Sequence, residues 1–344
     1  MGGLNRRLAT VIVALVPIVA FGMLLSAVTV PFVALGPGPT FDTLGEVDGK
    51  EVVDIEGTQV HPTSGHLNMT TVAQADGLSL GEAITLWLSG SQQLVPRDLV
   101  YPPDKSTEEV NEDNTKNFKQ SEDNAQYAAL SYLKYPKAST VITVAADGPS
   151  DGKLEAGDAI DAINGKPVAA TDALSAVMKD TKPGDSVVLD YQRKNGELGS
   201  ATIVLGKHPT EAHGLLGVEL ADVPRPPPFT IEFNLANIGG PSAGLMFSLA
   251  VIDKLTTGDL NGGKFIAGTG TIDLDGTVGP IGGITHKMEA AQDAGATAFL
   301  VPADNCAEAK TAHDDRLTLI KVDTLTTAVD ALKTFSAGGE PPRC

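Results

Sequence analysis

A serine and a lysine, each in a glycine-rich setting, have the clearest capacity for chemistry in this sequence. Ser242 lies in Gly239-Gly240-Pro241-Ser242-Ala243-Gly244, where a loop gives way to an apolar stretch that predicts a helix over 242–255. A helix start offers unpaired backbone N–H groups and the positive end of the helix dipole, which favour the negative charge that develops on a carbonyl oxygen during acyl transfer. The N–H groups of Gly240, Ser242 and Ala243 are the candidate donors, and the flanking glycines let a substrate carbonyl come close to the backbone. Serine is also a common helix N-cap with no chemistry, and a glycine-rich helix start can cradle phosphate. The motif alone does not choose among these readings. A nucleophilic serine needs a base, yet His61, His66, His208, His213, His286 and His313 are scattered and no Gly-x-Ser-x-Gly elbow accompanies them. Lysine serves instead when burial keeps it neutral. Lys287 follows Pro280-Ile281-Gly282-Gly283-Ile284, an apolar turn into a helix.

Cofactor signals are weak by comparison. Gly258-x-x-x-x-Gly263-Lys264 approaches a phosphate-binding loop, but Phe265 stands where a hydroxyl should meet magnesium. His-Glu-x-x-His is absent, so neither a metal nor a nucleotide cofactor is expected.

Taken in order, GGPSAG, then Ala267-Gly268-Thr269-Gly270, then DGTVGPIGGITHK from Asp275 to Lys287 resemble the proteolytic domain of Lon proteases and of their ATP-independent, membrane-bound Lon-like relatives. The likeness is strong from Phe229 to Leu332, and the serine and lysine stand 45 positions apart. It implies that Ser242 and Lys287 form a catalytic dyad, with Thr269 orienting the lysine. It also implies an α+β fold of the ribosomal protein S5 domain 2-like kind, and a tendency to assemble as a homo-oligomer. The sequence departs from Lon at Gly239, where an acidic residue is usual, and at Thr271, where Lon often has Glu.

A second likeness, to the PDZ domains attached to bacterial proteases, covers Gln126 to Lys207. It is carried by Leu154-x-x-Gly157-Asp158-x-Ile160-x-x-Ile163-Asn164-Gly165, whose Asn-Gly is a hairpin-turn signal. The resemblance implies a loop whose N–H groups bind a peptide carboxylate, with the peptide adding as a strand. Leu133, Lys134 and Tyr135 are the matching positions, with Lys134 standing where the family commonly has glycine. A purely structural β-rich module is the alternative.

The surrounding elements must hold these groups in place. No charged residue occurs from Leu8 to Leu35, 28 positions, where about 20 suffice to span a hydrocarbon core. Arg6 and Arg7 precede this run and an acidic chain follows, which predicts a cytoplasmic start and an extracytoplasmic body on a single-pass transmembrane anchor. A cleaved signal peptide is the competing reading. The expected divisions are an anchor over 1–36, an N-terminal extracytoplasmic segment over 37–125 that could join the Lon-like domain, a PDZ-like domain over 126–207, a Pro-rich linker over 208–228 and the Lon-like domain over 229–344. Gly36-Pro37-Gly38-Pro39 reads as a stiff exit from the membrane. Strands are expected over 51–55 and 65–72, a helix over 80–88, exposed helix and loop over 101–123, and a helix over 306–313.

The net charge of -18 argues against nucleic acid as a partner. Cys306 and Cys344 form either one bridge, if the body lies outside the cytoplasm, or two free thiols. These features together predict an ATP-independent serine endopeptidase acting on exported or membrane-proximal polypeptides. A catalytically idle peptide-binding scaffold is the alternative.

Overall fold

The computed structural model describes residues 2–90, 92–236, 238–312 and 316–344, with side chains from residue 8 onward. His313, and with it the end of the helix expected over 306–313, lies outside the described residues.

The uncharged N-terminal run does not form one continuous element. Helix α1 (Gly2–Ala27) ends well before Leu35, and the chain enters strand β1 (Phe32–Asp42). Gly36-Pro37-Gly38-Pro39 is therefore not the membrane exit expected of it but part of β1. Proline cannot donate to a ladder and is tolerated where pairing is irregular, and the register shifts between Pro37 and Thr40. A Cβ at Gly38 would overlap Thr71 on the neighbouring strand. Next come β2 (Val53–Glu56), β3 (His66–Ala75), α2 (Leu80–Ser89) and β4 (Gln93–Pro96). Helix α3 (Thr107–Tyr132) follows, opened by a capping box between Ser106 and Glu109. It runs further than its polar sequence predicts, and it buries Phe118, Ser121, Ala125, Ala128 and Ala129.

The middle of the chain is a β-rich module. Its elements are β5 (Lys137–Val144), β6 (Ala159–Ile163), α4 (Thr171–Met178), β7 (Ser186–Gln192), β8 (Leu198–Val204) and β9 (Val218–Pro224). Asn164 and Gly165 both take positive φ, the turn that Asn-Gly supplies. The strands pair antiparallel in the order β8-β7-β6-β5-β9. Ile160, Ile163, Val187, Leu189 and Ile203 pack with Leu174 and Met178 of α4 in a separate core. The stretch 208–228, expected as a linker, thus contributes β9 to this sheet, which leaves Arg225-Pro226-Pro227-Pro228 as the stiff connection.

The chain then returns to its first part. Strand β10 (Thr230–Phe233) pairs with β2, and α5 (Gly244–Leu255), β11 (Phe265–Gly268), α6 (Ile284–Asp293), β12 (Ala298–Pro302), β13 (Thr318–Val322) and α7 (Leu325–Ser336) follow. One sheet of order β13-β12-β11-β3-β1-β4 draws strands from both sides of the inserted module. Strands β3, β11, β12 and β13 run parallel, and β1 pairs antiparallel with β3 and β4. Alternation along β12 explains the layering. Ala298 and Leu300 face α3, α5 and α7, whereas Phe299 and Val301 face α6. A disulfide joins Cys306 to Cys344, and the tail lies along β13, with Lys321 N–H donating to Pro342 O.

Candidate active site

Helices α5 and α6 cover opposite faces of the sheet, so residues at their starts can meet only beyond the ends of the strands between them. Thr70 of β3 and Thr269, just after β11, lie at that meeting point. Lys287, in the first turn of α6, is 3% exposed. Its Nζ lies 2.7 Å from Ser242 Oγ, 3.0 Å from Thr70 O and 3.1 Å from Thr269 Oγ1. No carboxylate is among these partners. Burial therefore pushes the Lys287 ammonium down to about 8, with nothing to offset it.

Hydrogen-bond accounting shows what the neutral amine would do here. It has two N–H donors and one lone pair. Thr70 O and Thr269 Oγ1 accept the two N–H groups, which leaves the lone pair for the Ser242 hydroxyl. Thr269 in turn donates to Ser242 O at 3.0 Å. Each group has a partner when Lys287 is uncharged and Ser242 keeps its proton, the starting state that general-base catalysis needs.

Ser242 is not a helix cap. The N-cap position of α5 is Ala243, with no side-chain cap, and the first helical residue is Gly244, two positions later than predicted. Of the three expected oxyanion donors, Gly240 is corrected: its N–H donates to Asn114 O of α3 at 2.9 Å and is not free. Among the described residues, the N–H groups of Ser242 and Ala243 have no protein acceptor, as expected before a first helical turn. The carbonyl of Pro241 accepts from the buried Ser121 Oγ at 3.0 Å. In a trans peptide the carbonyl and the following N–H point in opposite directions. Ser121 thus aims the Ser242 N–H away from α3.

This contact with α3 was not visible in the sequence, because α3 lies more than a hundred positions upstream. It also explains two glycines. A Cβ at Gly239 would come within 2.8 Å of Asn114 Cβ, so the acidic side chain usual in Lon has no room here. One at Gly244 would come within 2.6 Å of Ile272 Cγ2 as well as 2.9 Å of Ser121 Oγ.

The histidines lie elsewhere. His66 pairs with Asp42 at 2.6 Å, His286 faces Gln93, and no described histidine bonds Ser242. His208, Glu211 and His213 bring one ligand atom each within 4.8 Å of one another. His208 Nδ1 accepts from the Thr210 and Glu211 N–H groups, and His213 Nε2 pairs with Glu211 Oε2 at 2.6 Å. Lys264, just before β11, lies over the Phe335 ring.

Residues 237–334, which hold the Ser242, Thr269 and Lys287 cluster, match the Lon protease (S16) C-terminal proteolytic domain. The chain carries a Lon-type proteolytic domain. The curated relatives of this Lon-type domain include Lon protease of Roseiflexus castenholzii, 47% identical over 66 residues, which cover 19% of this chain and 8% of that protein. Archaeal Lon protease of Methanothermobacter thermautotrophicus is 33% identical over 90 residues, 26% of this chain and 14% of that protein. The chain thus spans only a small part of the length of either relative.

Residues 114–204 match the PDZ domain. The PDZ domain of an SdrC-like protein from Listeria monocytogenes is 25% identical, with a TM-score of 0.23, over 24% of this chain and 86% of that one.

The PDZ site expected at Leu133-Lys134-Tyr135 is also corrected. Leu133 caps α3, Tyr135 packs edge-on against Phe229, and β5 beyond them is already paired with β9 from Lys137 to Val144. On its other side β5 pairs with β6. The open edge beside α4 belongs to β9, which follows Gly214-Leu215-Leu216-Gly217. The signal that could have found it is a glycine-bounded apolar loop running into the alternating Val218-Glu219-Leu220-Ala221-Asp222.

Proposed function

We propose that this chain is an ATP-independent serine endopeptidase in which Ser242 attacks the peptide carbonyl and Lys287 takes its proton and returns it to the leaving amine. Thr269 orients the lysine, and the N–H groups of Ser242 and Ala243 hold the oxyanion. The observation that carries this reading is Lys287 Nζ at 2.7 Å from Ser242 Oγ, in a pocket that holds no counter-charge for it. A buried lysine without an ion-pair partner is costly for a fold, and a role as base accounts for it.

Anchorage comes from α1, in which Leu8–Ala27 is long and apolar enough to cross a membrane. The disulfide supports an extracytoplasmic, oxidising site for the body. These 344 residues contain no complete nucleotide-binding loop, so the substrates are exported or membrane-proximal polypeptides that arrive already unfolded or extended. The PDZ module adds a peptide as a further strand on the open edge of β9, against α4. By this reading the proteolytic domain is built from both 37–136 and 225–344, and the PDZ domain is an insertion in it.

The test uses a serine-directed acylating probe on the full chain in detergent, read by intact mass. One adduct is expected on the native chain and none on Ser242→Ala or Lys287→Ala. Folding of the variants is checked by circular dichroism. Normal labelling of folded Lys287→Ala would remove lysine as the base.

A further inference from the structure

We propose that α2 and the turns beside it form an apolar collar that seats the body on the lipid bilayer, with Trp87 and Leu88 at the boundary between headgroups and acyl chains. Ten large hydrophobic residues outside α1 are exposed among the described residues, and six of them are Val28, Phe32, Ile84, Trp87, Leu88 and Leu99. Trp87 and Leu88 are each 72% exposed and Leu99 is 74% exposed.

These six residues are far apart in sequence but are tied to one place. Val30 N–H donates to Leu78 O, Leu80 N–H to Val28 O and Arg97 N–H to Pro31 O, so both α2 and the turn 97–99 hang from the segment that leaves α1. Thr29 and Ser79 form a β-bridge at the same point. Gly81 abuts the last turn of α1, where a Cβ would stand 3.3 Å from Leu25 O. On a helix, positions 81, 84 and 88 share one face and 87 borders it. The apolar face of α2 therefore continues outward from its contact with α1.

The occupant follows from that continuity. This inference rests on the reading of α1 as a membrane span: the surface against which α1 is solvated is the one that reaches Ile84, Trp87 and Leu88. Tryptophan at such a boundary suits its amphipathic ring. The contact is apolar rather than electrostatic. The chain carries a net charge of -18, and the one charged side chain of α2, Glu82, is turned back on Ser79 N at 2.8 Å.

The chain holds a single tryptophan, so its fluorescence reports on Trp87 alone. The full chain is reconstituted into phosphatidylcholine vesicles with or without lipids brominated near the top of the acyl chains, and aqueous iodide is titrated in parallel. The expected result is loss of at least half the emission to brominated lipid, weak iodide quenching, and no change in 1 M salt. Strong iodide quenching without lipid quenching would overturn the collar by placing the face in water. Absence of both would overturn it in favour of a second copy or another protein surface as the cover. Alkaline extraction of the same vesicles separates the two readings. Release of the chain overturns the anchor and the collar together, whereas retention with an iodide-accessible tryptophan overturns the collar alone.

Discussion

At Lys287 the cost of burial and the capacity for catalysis are the same fact. Its pKa falls from 10.5 to about 8 on folding, so the unfolded chain holds a proton there that the folded chain does not between those two values. Stability must therefore rise with pH across that window, by on the order of 3 kcal/mol, with the full penalty present below it. Thermal unfolding of the native chain and of Lys287→Met, from pH 7 to 11, is expected to show this rise only in the native chain. Cleavage should climb with pH through about 8 as the amine loses its proton. A flat profile there would assign the titration elsewhere. Ser121 acts through the Pro241 peptide rather than on substrate, so Ser121→Ala should lower kcat about tenfold and leave KM nearly unchanged, roughly the worth of one aimed hydrogen bond. Single-turnover acylation measures the split. Ser242, Lys287 and Thr269 could be proposed from the sequence through a likeness carried by local motifs. The engagement of Gly240 could not, since its partner Asn114 sits on a helix that no short-range pattern connects to it.

Among the elements, α3 departs most from its sequence pattern. A polar surface over 107–117 hides a helix that turns Phe118 edge-on to Phe247 of α5, and a window average misses a buried stripe so far along the chain. Phe118→Ala should cost about 3–5 kcal/mol in denaturant unfolding. Helix α4 is capped from outside its own sequence. Its N-cap position, Ala170, has no side-chain oxygen, and Asp222 of β9 accepts from both Thr171 N and Thr171 Oγ1. Asp222→Ala is expected to remove about 1 kcal/mol and to speed amide exchange in the first turn of α4. Unchanged exchange there would show that β9 does not hold the helix. The module was legible through its Leu154 to Gly165 pattern and the Asn164-Gly165 turn. β9 was not, because three prolines just beyond it dominate the local composition.

For the molecule as a whole, the insertion leaves and returns at one point: Arg225 N–H donates to Pro136 O at 2.8 Å. A chain in which two glycines replace 137–224 should still fold and label at Ser242 with the acylating probe, while losing peptide affinity measured by fluorescence anisotropy. The sequence leaves open whether the segment 37–125, with its strand over 65–72, joins the later domain. What it could not show is that the C-terminal tail closes the far side of the same sheet. In the loop-entropy picture, a bridge spanning 38 positions contributes about 4 kcal/mol. It also pins Pro342 and Arg343 over β13. Breaking it would bare a row of unsatisfied amides along β13, an outer strand separated by β12 from β11. Under the proposed extracytoplasmic placement of the body, a reducing compartment would therefore open β13 to templated aggregation.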